Sequence, residues 1–251
     1  MSDKINLTLN VWRQKSPKSA GKFEEYEVKD VDVNSSFLEM IDVLNEDLTK
    51  KGQDPIEFDH DCREGICGTC GAMVNGRPHG PLKNTTLCQL HMREFKNNET
   101  ITLEPFRSTS LPIVKDLVVD RSAFDNIIKS GGFISAKTGS GQDANSILIP
   151  KPDADDAFNS AQCIGCSACV AACPNASAML FVAAKVNHLA KLPQGQAERK
   201  SRVKNMVLAM DKSGFGNCSN AYECEAACPK GISVANIAAM NKDFMKAGIF
   251  S

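Results

Sequence analysis

The feature that most constrains this chain is a run of four cysteines closed by a proline, Cys163-x2-Cys166-x2-Cys169-x3-Cys173-Pro174. Thiolates at these intervals hold an iron-sulfur cubane with the first three residues and send the fourth to a neighbouring cluster, so the run demands a second group elsewhere. That group is Cys218-x5-Cys224-x3-Cys228-Pro229, and overlaying the two runs puts Ala221 where a second cysteine would stand. Crosswise sharing gives one set of four thiolates, Cys163, Cys166, Cys169 and Cys228, sufficient for a 4Fe-4S cluster. The other set has three members, Cys173, Cys218 and Cys224. A cubane corner that faces an alanine finds no sulfur, oxygen or nitrogen to retain its iron, so the expected occupant there is 3Fe-4S. Paired zinc sites or scattered buried thiols are the rival reading, but a crossed partition with a proline after each run has no zinc rationale.

The remaining cysteines form a third constellation, Cys62-x4-Cys67-x2-Cys70, with Cys88 following after seventeen residues. This is the spacing of plant-type two-iron ferredoxins, in which a tight loop wraps one side of a 2Fe-2S cluster and a distant cysteine closes it. Gly65, Gly68 and Gly71 are interleaved with the ligands, permitting backbone conformations closed to other residues and letting amide N-H groups reach the sulfurs. A zinc loop explains neither the wide first interval nor the glycines. His60 stands two residues before Cys62, yet a Rieske-type site needs two histidines, and four cysteines already complete the set. Sets of four, four and three account for all eleven cysteines of the chain.

The rest of the sequence sets limits on this reading. The segment Met1 to Trp12 lacks the basic stretch and apolar core of a secretory signal, and a cytoplasmic location is expected. There an odd number of cysteines argues for metal ligation over disulfides. No stretch approaches the ~20 apolar residues of a membrane-spanning helix; the longest candidate, Ala178 to Ala184, is closed off by Lys185. Basic and acidic residues number 15 and 18 over residues 1–115, and 11 and 8 over 151–251. The surplus in the second half fits a solvated helical surface or proximity to anionic lipid or an acidic partner. Basic residues are not clustered with aromatics, so no nucleic-acid partner is expected. Gly139-x-Gly141-x-x-Ala144 matches part of a dinucleotide fingerprint, but Pro150 and Pro152 follow and no helix opens there, so it reads as linker. His79, His91 and His188 stand apart from any carboxylate or serine constellation and are taken as surface or structural residues.

Two domains are expected. Ile5, Leu7, Leu9 and Val11 alternate, and Phe23, Tyr26 and Val28 begin a second extended run, giving a hairpin. Ser36 and Glu39 form a capping-box signature ahead of Phe37, Met40, Ile41, Leu44 and Leu48, with Gly52 as the stop. Strand candidates at 71–74 and 100–103, the former followed by an Asn75-Gly76 turn, complete a small sheet crossed by one helix. From about Ser130 to Pro152 the composition turns to Gly, Ser, Ala, Asp and Pro, marking a connector. Beyond it, 176–189, 198–210 and 234–245 carry apolar residues at helical intervals. The organisation is therefore residues 1–115 around the two-iron loop, a connector over 116–152, and an all-helical unit over 153–251 carrying the other two clusters.

In the order and type of its clusters, the chain resembles the iron-sulfur subunits of succinate dehydrogenase and fumarate reductase. The resemblance runs through Asp61-Cys62-Arg63-Glu64-Gly65-Ile66-Cys67-Gly68, Pro112-Ile113-Val114-Lys115-Asp116-Leu117-Val118-Val119-Asp120 and both helical-domain runs. It implies an α+β fold, with an N-terminal β-grasp domain like plant 2Fe-2S ferredoxins and a helical domain like bacterial ferredoxins. It also implies partners: a flavoprotein subunit bearing covalent FAD beside the two-iron cluster, and a membrane cytochrome b subunit, with haem b and quinone, beside the three-iron cluster. The chain itself would lie peripherally on the cytoplasmic face of the membrane, relaying electrons without holding the dicarboxylate site. A subunit of another flavin-linked dehydrogenase, or a free-standing ferredoxin-like carrier, are the alternatives. Two departures stand out. The gap from Cys70 to Cys88 is longer than is typical of the family, Pro78 to Thr86 carrying the excess, and Cys88 is kept as ligand because no other cysteine is unassigned. Ubiquinone-using members share a tryptophan and a histidine where this chain has Ala178 and Ser219, so no quinone ligands carry over and menaquinone is the suggested acceptor.

Overall fold

A computed structural model describes residues 3–135, 143 and 146–249; most of the Gly139–Ala144 motif lies outside the described residues. Strand β1 (Lys4–Arg13) buries Ile5, Leu7, Leu9 and Val11 on one face, as period-two alternation requires. It pairs antiparallel with β2 (Lys22–Asp32) on one side and parallel with β5 (Glu99–Glu104) on the other, with Leu9 opposite both Tyr26 and Ile101. Strands joined in parallel need a long crossover. Here the crossover holds helix α1 (Phe37–Lys50), the two-iron loop and the short hairpin β3 (Met73–Val74) and β4 (Arg77–Pro78), giving the sheet order β2-β1-β5-β3-β4. This mixed sheet clasping one helix is the expected β-grasp.

The capping box forms: Glu39 N donates to Ser36 Oγ at 3.2 Å, and Ser36 N donates to Glu39 Oε2 at 2.6 Å. The helix then lays Phe37, Met40, Ile41, Leu44 and Leu48 on the sheet, and Gly52 ends the segment at φ 69. Asn75 and Gly76 both take positive φ, at 50 and 74, the demand of a two-residue hairpin turn. The expected strand at 71–74 is trimmed to Met73–Val74, because Gly71 lies beneath the Phe106 ring and belongs to the cluster loop.

A small hairpin, β6 (Ile113–Lys115) and β7 (Val118–Val119), turns at Asp116, which has φ 45 and is 2% exposed. Its carboxylate accepts N-H groups from Gln14 at 2.8 Å and Glu57 at 3.0 Å and lies 3.2 Å from Arg13 Nε, tying the segment ahead of the cysteine loop to β1. Helix α2 (Ser122–Gly131) follows, inside the 116–152 span expected to be a connector though mostly ahead of its Gly/Ser/Pro-rich part. Its Phe124 stacks on Phe181 at 3.9 Å between ring centroids and joins Ile127 in the second hydrophobic core. That core is built further from helices α4 (Ala168–Ala172), α5 (Met179–Ala190), α6 (Arg199–Lys212) and α8 (Ala235–Ile249), with Cys224 of the short α7 (Glu223–Ala226) packed against it, while α3 (Lys151–Ala161) lies outside it against α5. After β7 no strand occurs among the described residues.

Candidate metal centres

The three cysteine sets are presented differently. In the first, Cys62 Sγ accepts backbone N-H groups from Glu64 at 3.3 Å, Ile66 at 3.4 Å and Cys67 at 3.4 Å. Such a ring of donors forms only because Arg63 and Gly65 take φ 54 and 73. Those amide bonds, Glu64 first, hold the Cys62 thiol down at about 7, favouring the ligating thiolate. Cys70 and Cys88 are buried. Burial pushes Cys70 up to about 12, with Cys88 and Cys67 among its further influences, and Cys67 also reaches Cys62, so each cysteine of the set has another of the set near it. Cys88 therefore stands with the other three despite the long gap in sequence. A thiol so desolvated ionises only with a cation bound.

In the helical half, Cys163, Cys166, Cys169 and Cys228 line one small cavity together with Phe124, Phe181 and Ile232. Cys173, Cys218 and Cys224 line another, and Ala221 lies on its wall. The crosswise grouping inferred from spacing is the grouping in space. Among the described residues no three His, Cys, Asp or Glu side chains close on a point able to hold a single metal ion.

The sets also stand in sequence. Burial raises Cys166 to about 12, and after it the neighbouring Cys228, Cys163 and Cys70 push the same way, so the two-iron set reaches the four-thiolate set. Burial likewise raises Cys169, with Cys224 of the three-thiolate set adding to it. Gly68 explains the first approach: a Cβ there would fall 2.2 Å from the Ile164 carbonyl oxygen. Arg121 donates to the Gly68 carbonyl at 2.5 Å, pinning the two-iron loop to the start of α2. Neither role is readable from spacing, because Gly68 and Ile164 are joined only by the fold.

The other residues singled out from sequence take no part in the sets. His91 flanks a short turn, and His188 is half-buried beside Lys185. His79 is 1% exposed, and burial lowers its pKa to about 4. An unfolded histidine titrates near 6.5, so between those limits the unfolded chain binds more protons. Stability should fall as pH drops from about 6.5 towards about 4 and stay flat above. Denaturation of wild type and His79→Asn across this range checks it; parallel curves would exclude His79 as the cause. Ala178 is fully buried at the start of α5 and Ser219 is exposed, lining the three-thiolate cavity.

Comparison with known proteins agrees with this architecture. Residues 8–126 match the family model of a 2Fe-2S iron-sulfur cluster binding domain, and residues 159–232 match that of a 4Fe-4S dicluster domain. The succinate dehydrogenase iron-sulfur subunit of Bacillus subtilis is 28% identical over 97% of this chain and 94% of its own length. The fumarate reductase iron-sulfur subunit of Wolinella succinogenes is 28% identical over 90% and 91%, respectively. The 8-methylmenaquinol:fumarate reductase iron-sulfur subunit of the same organism is 31% identical, over 80% of this chain and 63% of its own length. A chain of the Mycobacterium smegmatis Sdh1 complex in the apo form shares the fold, with a TM-score of 0.71, 22% identity and 97% of each chain covered. With a two-iron-type loop on a β-grasp sheet and a crossed cysteine pair on a helical unit, this chain is similar along nearly its whole length to the iron-sulfur subunits of succinate dehydrogenase and fumarate reductase.

Proposed function

We propose that this chain is the electron relay of a membrane-associated succinate:quinone oxidoreductase, between the FAD of a flavoprotein subunit and quinone at a cytochrome b subunit. The observation that carries the reading is the consecutive order of the three thiolate sets, with Cys70 beside Cys166 and Cys169 beside Cys224. Cys62, Cys67, Cys70 and Cys88 hold 2Fe-2S; Cys163, Cys166, Cys169 and Cys228 hold 4Fe-4S; Cys173, Cys218 and Cys224 hold 3Fe-4S. These groups supply one-electron transfer, and tunnelling falls so steeply with distance that three closely spaced stations bridge what one jump cannot. The chain's own residues supply ligation, amide hydrogen bonds to sulfur and exclusion of water. No described helix is long and apolar enough to cross a membrane, which suits a peripheral subunit held on the cytoplasmic face by its partners.

Anaerobically purified complex should contain about nine non-haem irons per copy of this chain, from clusters of two, four and three. Stoichiometric zinc in place of iron would end the reading. Cys88→Ser should perturb the two-iron paramagnetic signal alone; an unchanged signal removes Cys88 from the ligand set. Co-purification of a flavoprotein and a b-type cytochrome separates a fixed subunit from a free carrier. Menaquinone is the proposed acceptor, since no tryptophan or histidine occupies Ala178 or Ser219 and one relative is named for a menaquinol. Faster turnover with ubiquinone analogues than with naphthoquinones would overturn that choice.

A further inference from the structure

We propose that His79 is a positioning residue of the two-iron centre, capping the turn that presents Cys88 and bracing the wall between Cys70 and Cys166. The inference rests on the ligand assignment for Cys88 made above. His79 lies in the Pro78–Thr86 segment that lengthens the loop, where it and Gly80 reverse the chain at φ 62 and 95. The reversal turns its ring inward, to 1% exposure.

What the ring does there follows from the turn it meets. Cys88 sits in a single 3-10 turn, Leu87–Gln89, preceded by Thr86. The first amides of such a turn have no partner within it, and a threonine before it ordinarily accepts one with its hydroxyl. Thr86 makes no such cap; its Oγ1 lies instead 3.2 Å from Cys88 Sγ. The vacated role falls to His79, whose Nδ1 accepts the Leu87 N-H at 3.3 Å. An amide can only donate, so Nδ1 is bare and the neutral ring carries its proton on Nε2. One imidazole thus frees a hydroxyl to address the ligating sulfur.

The other edge of the ring meets the second centre. Nε2 is buried with no hydrogen-bond acceptor among the described residues. The imidazole and the Phe106 ring are T-shaped, at 5.5 Å and 82°, a geometry compatible with a ring face standing in for a missing acceptor. Phe106 in turn fills the space that a Gly71 side chain would occupy, and shares a buried cluster with Cys166. His79 is therefore packed between the Cys88 turn and the seam where the first two thiolate sets adjoin.

The test uses the full complex with its clusters loaded, carrying His79→Phe or His79→Asn. Phenylalanine keeps the ring and loses the acceptor; asparagine offers Oδ1 near the place of Nδ1. Paramagnetic resonance and potentiometric titration read the centres separately. In His79→Phe the two-iron signal should broaden, and the oxidised-to-reduced ratio of that centre at the wild-type midpoint should change several-fold, with the other two centres unmoved. His79→Asn should restore the wild-type signal and midpoint. An unaltered two-iron centre in His79→Phe, or an Asn variant as disturbed as the Phe variant, overturns the role. Cys88→Ser in the same series keeps the two readings apart: if it abolishes the signal and His79→Phe changes nothing, only the role of His79 falls, whereas a signal indifferent to Cys88→Ser removes both.

Discussion

Ala221→Cys is expected to convert the three-iron centre into a second four-iron one. Ala221 lines the same cavity as Cys173, Cys218 and Cys224, and stands where the first run has Cys166. The backbone around it is already shaped for ligation: Asn220 and Tyr222 take φ 56 and 63, and Asn220 N donates to Cys218 Sγ at 3.4 Å. A thiolate at this point supplies the fourth corner, and the non-haem iron count should rise from about nine to about ten per chain. The spin-half signal of the oxidised three-iron cluster should vanish, replaced by a second four-iron signal on reduction. Because cluster type is a main determinant of potential, electron delivery beyond this station should slow sharply. Ala221→Ser tests whether a thiolate is needed, since it adds little volume and leaves the corner without sulfur. A persistent three-iron signal in the cysteine variant, with iron unchanged, would show that something other than the missing ligand keeps that corner empty.

The cysteine sets were legible in sequence because ligand spacing is itself a one-dimensional signal. Three sulfurs on a tight loop must be near one another whatever the rest of the chain does, and the crossed fourth ligand follows from the count. The strands and α1 were legible for a similar reason, their apolar periods and the Ser36–Glu39 cap being local. Helices α2 and α3 were not. In α3 the buried face is little more than Ala157 and Ser160, while Asp153, Asp155 and Asp156 dominate its composition, so no apolar stripe announces it. In α2 the pattern of Phe124 and Ile127 is sound but short, and Gly131, Gly132 and the polar run beyond them mask it. The roles of Gly68 against Ile164 and of His79 beneath the Cys88 turn depend on contacts between distant residues, and no local pattern encodes them.

The same distinction governs the prediction for Arg202, which in sequence is one more basic residue on a helix and in the structure joins three elements. Its side chain is fully buried. Nε donates to Gly131 O at 3.0 Å, Nη1 to Gly195 O at 2.7 Å and Nη2 to Phe133 O at 3.0 Å, with Glu198 Oε2 at 3.3 Å from Nη2 as counter-ion. Two of those carbonyls lie at and just beyond the C-terminal end of α2, where the helix dipole favours a cation. Gly131 lets α2 approach, since a Cβ there would lie 3.1 Å from Arg202 Cα. Arg202→Met preserves length and apolar packing but leaves buried carbonyls unpaired, at about 1–3 kcal/mol each. A total loss of about 3–5 kcal/mol is expected, as for other broken buried ion networks, with a fall in the thermal midpoint on the order of 10 °C. Arg202→Lys should lie between, a single ammonium being unable to span carbonyls that a planar fork reaches together. The loss extends to the relay, because α2 also supplies Arg121 ahead of its first turn and the Phe124 ring that lines the four-thiolate cavity. Loosening α2 should therefore admit water to that cavity and hasten loss of the 4Fe-4S cluster in air, ahead of global unfolding. A methionine variant as stable as wild type, with its four-iron signal equally durable, would show that these carbonyls find water or another donor and that α2 is held by Phe124 and Ile127 alone.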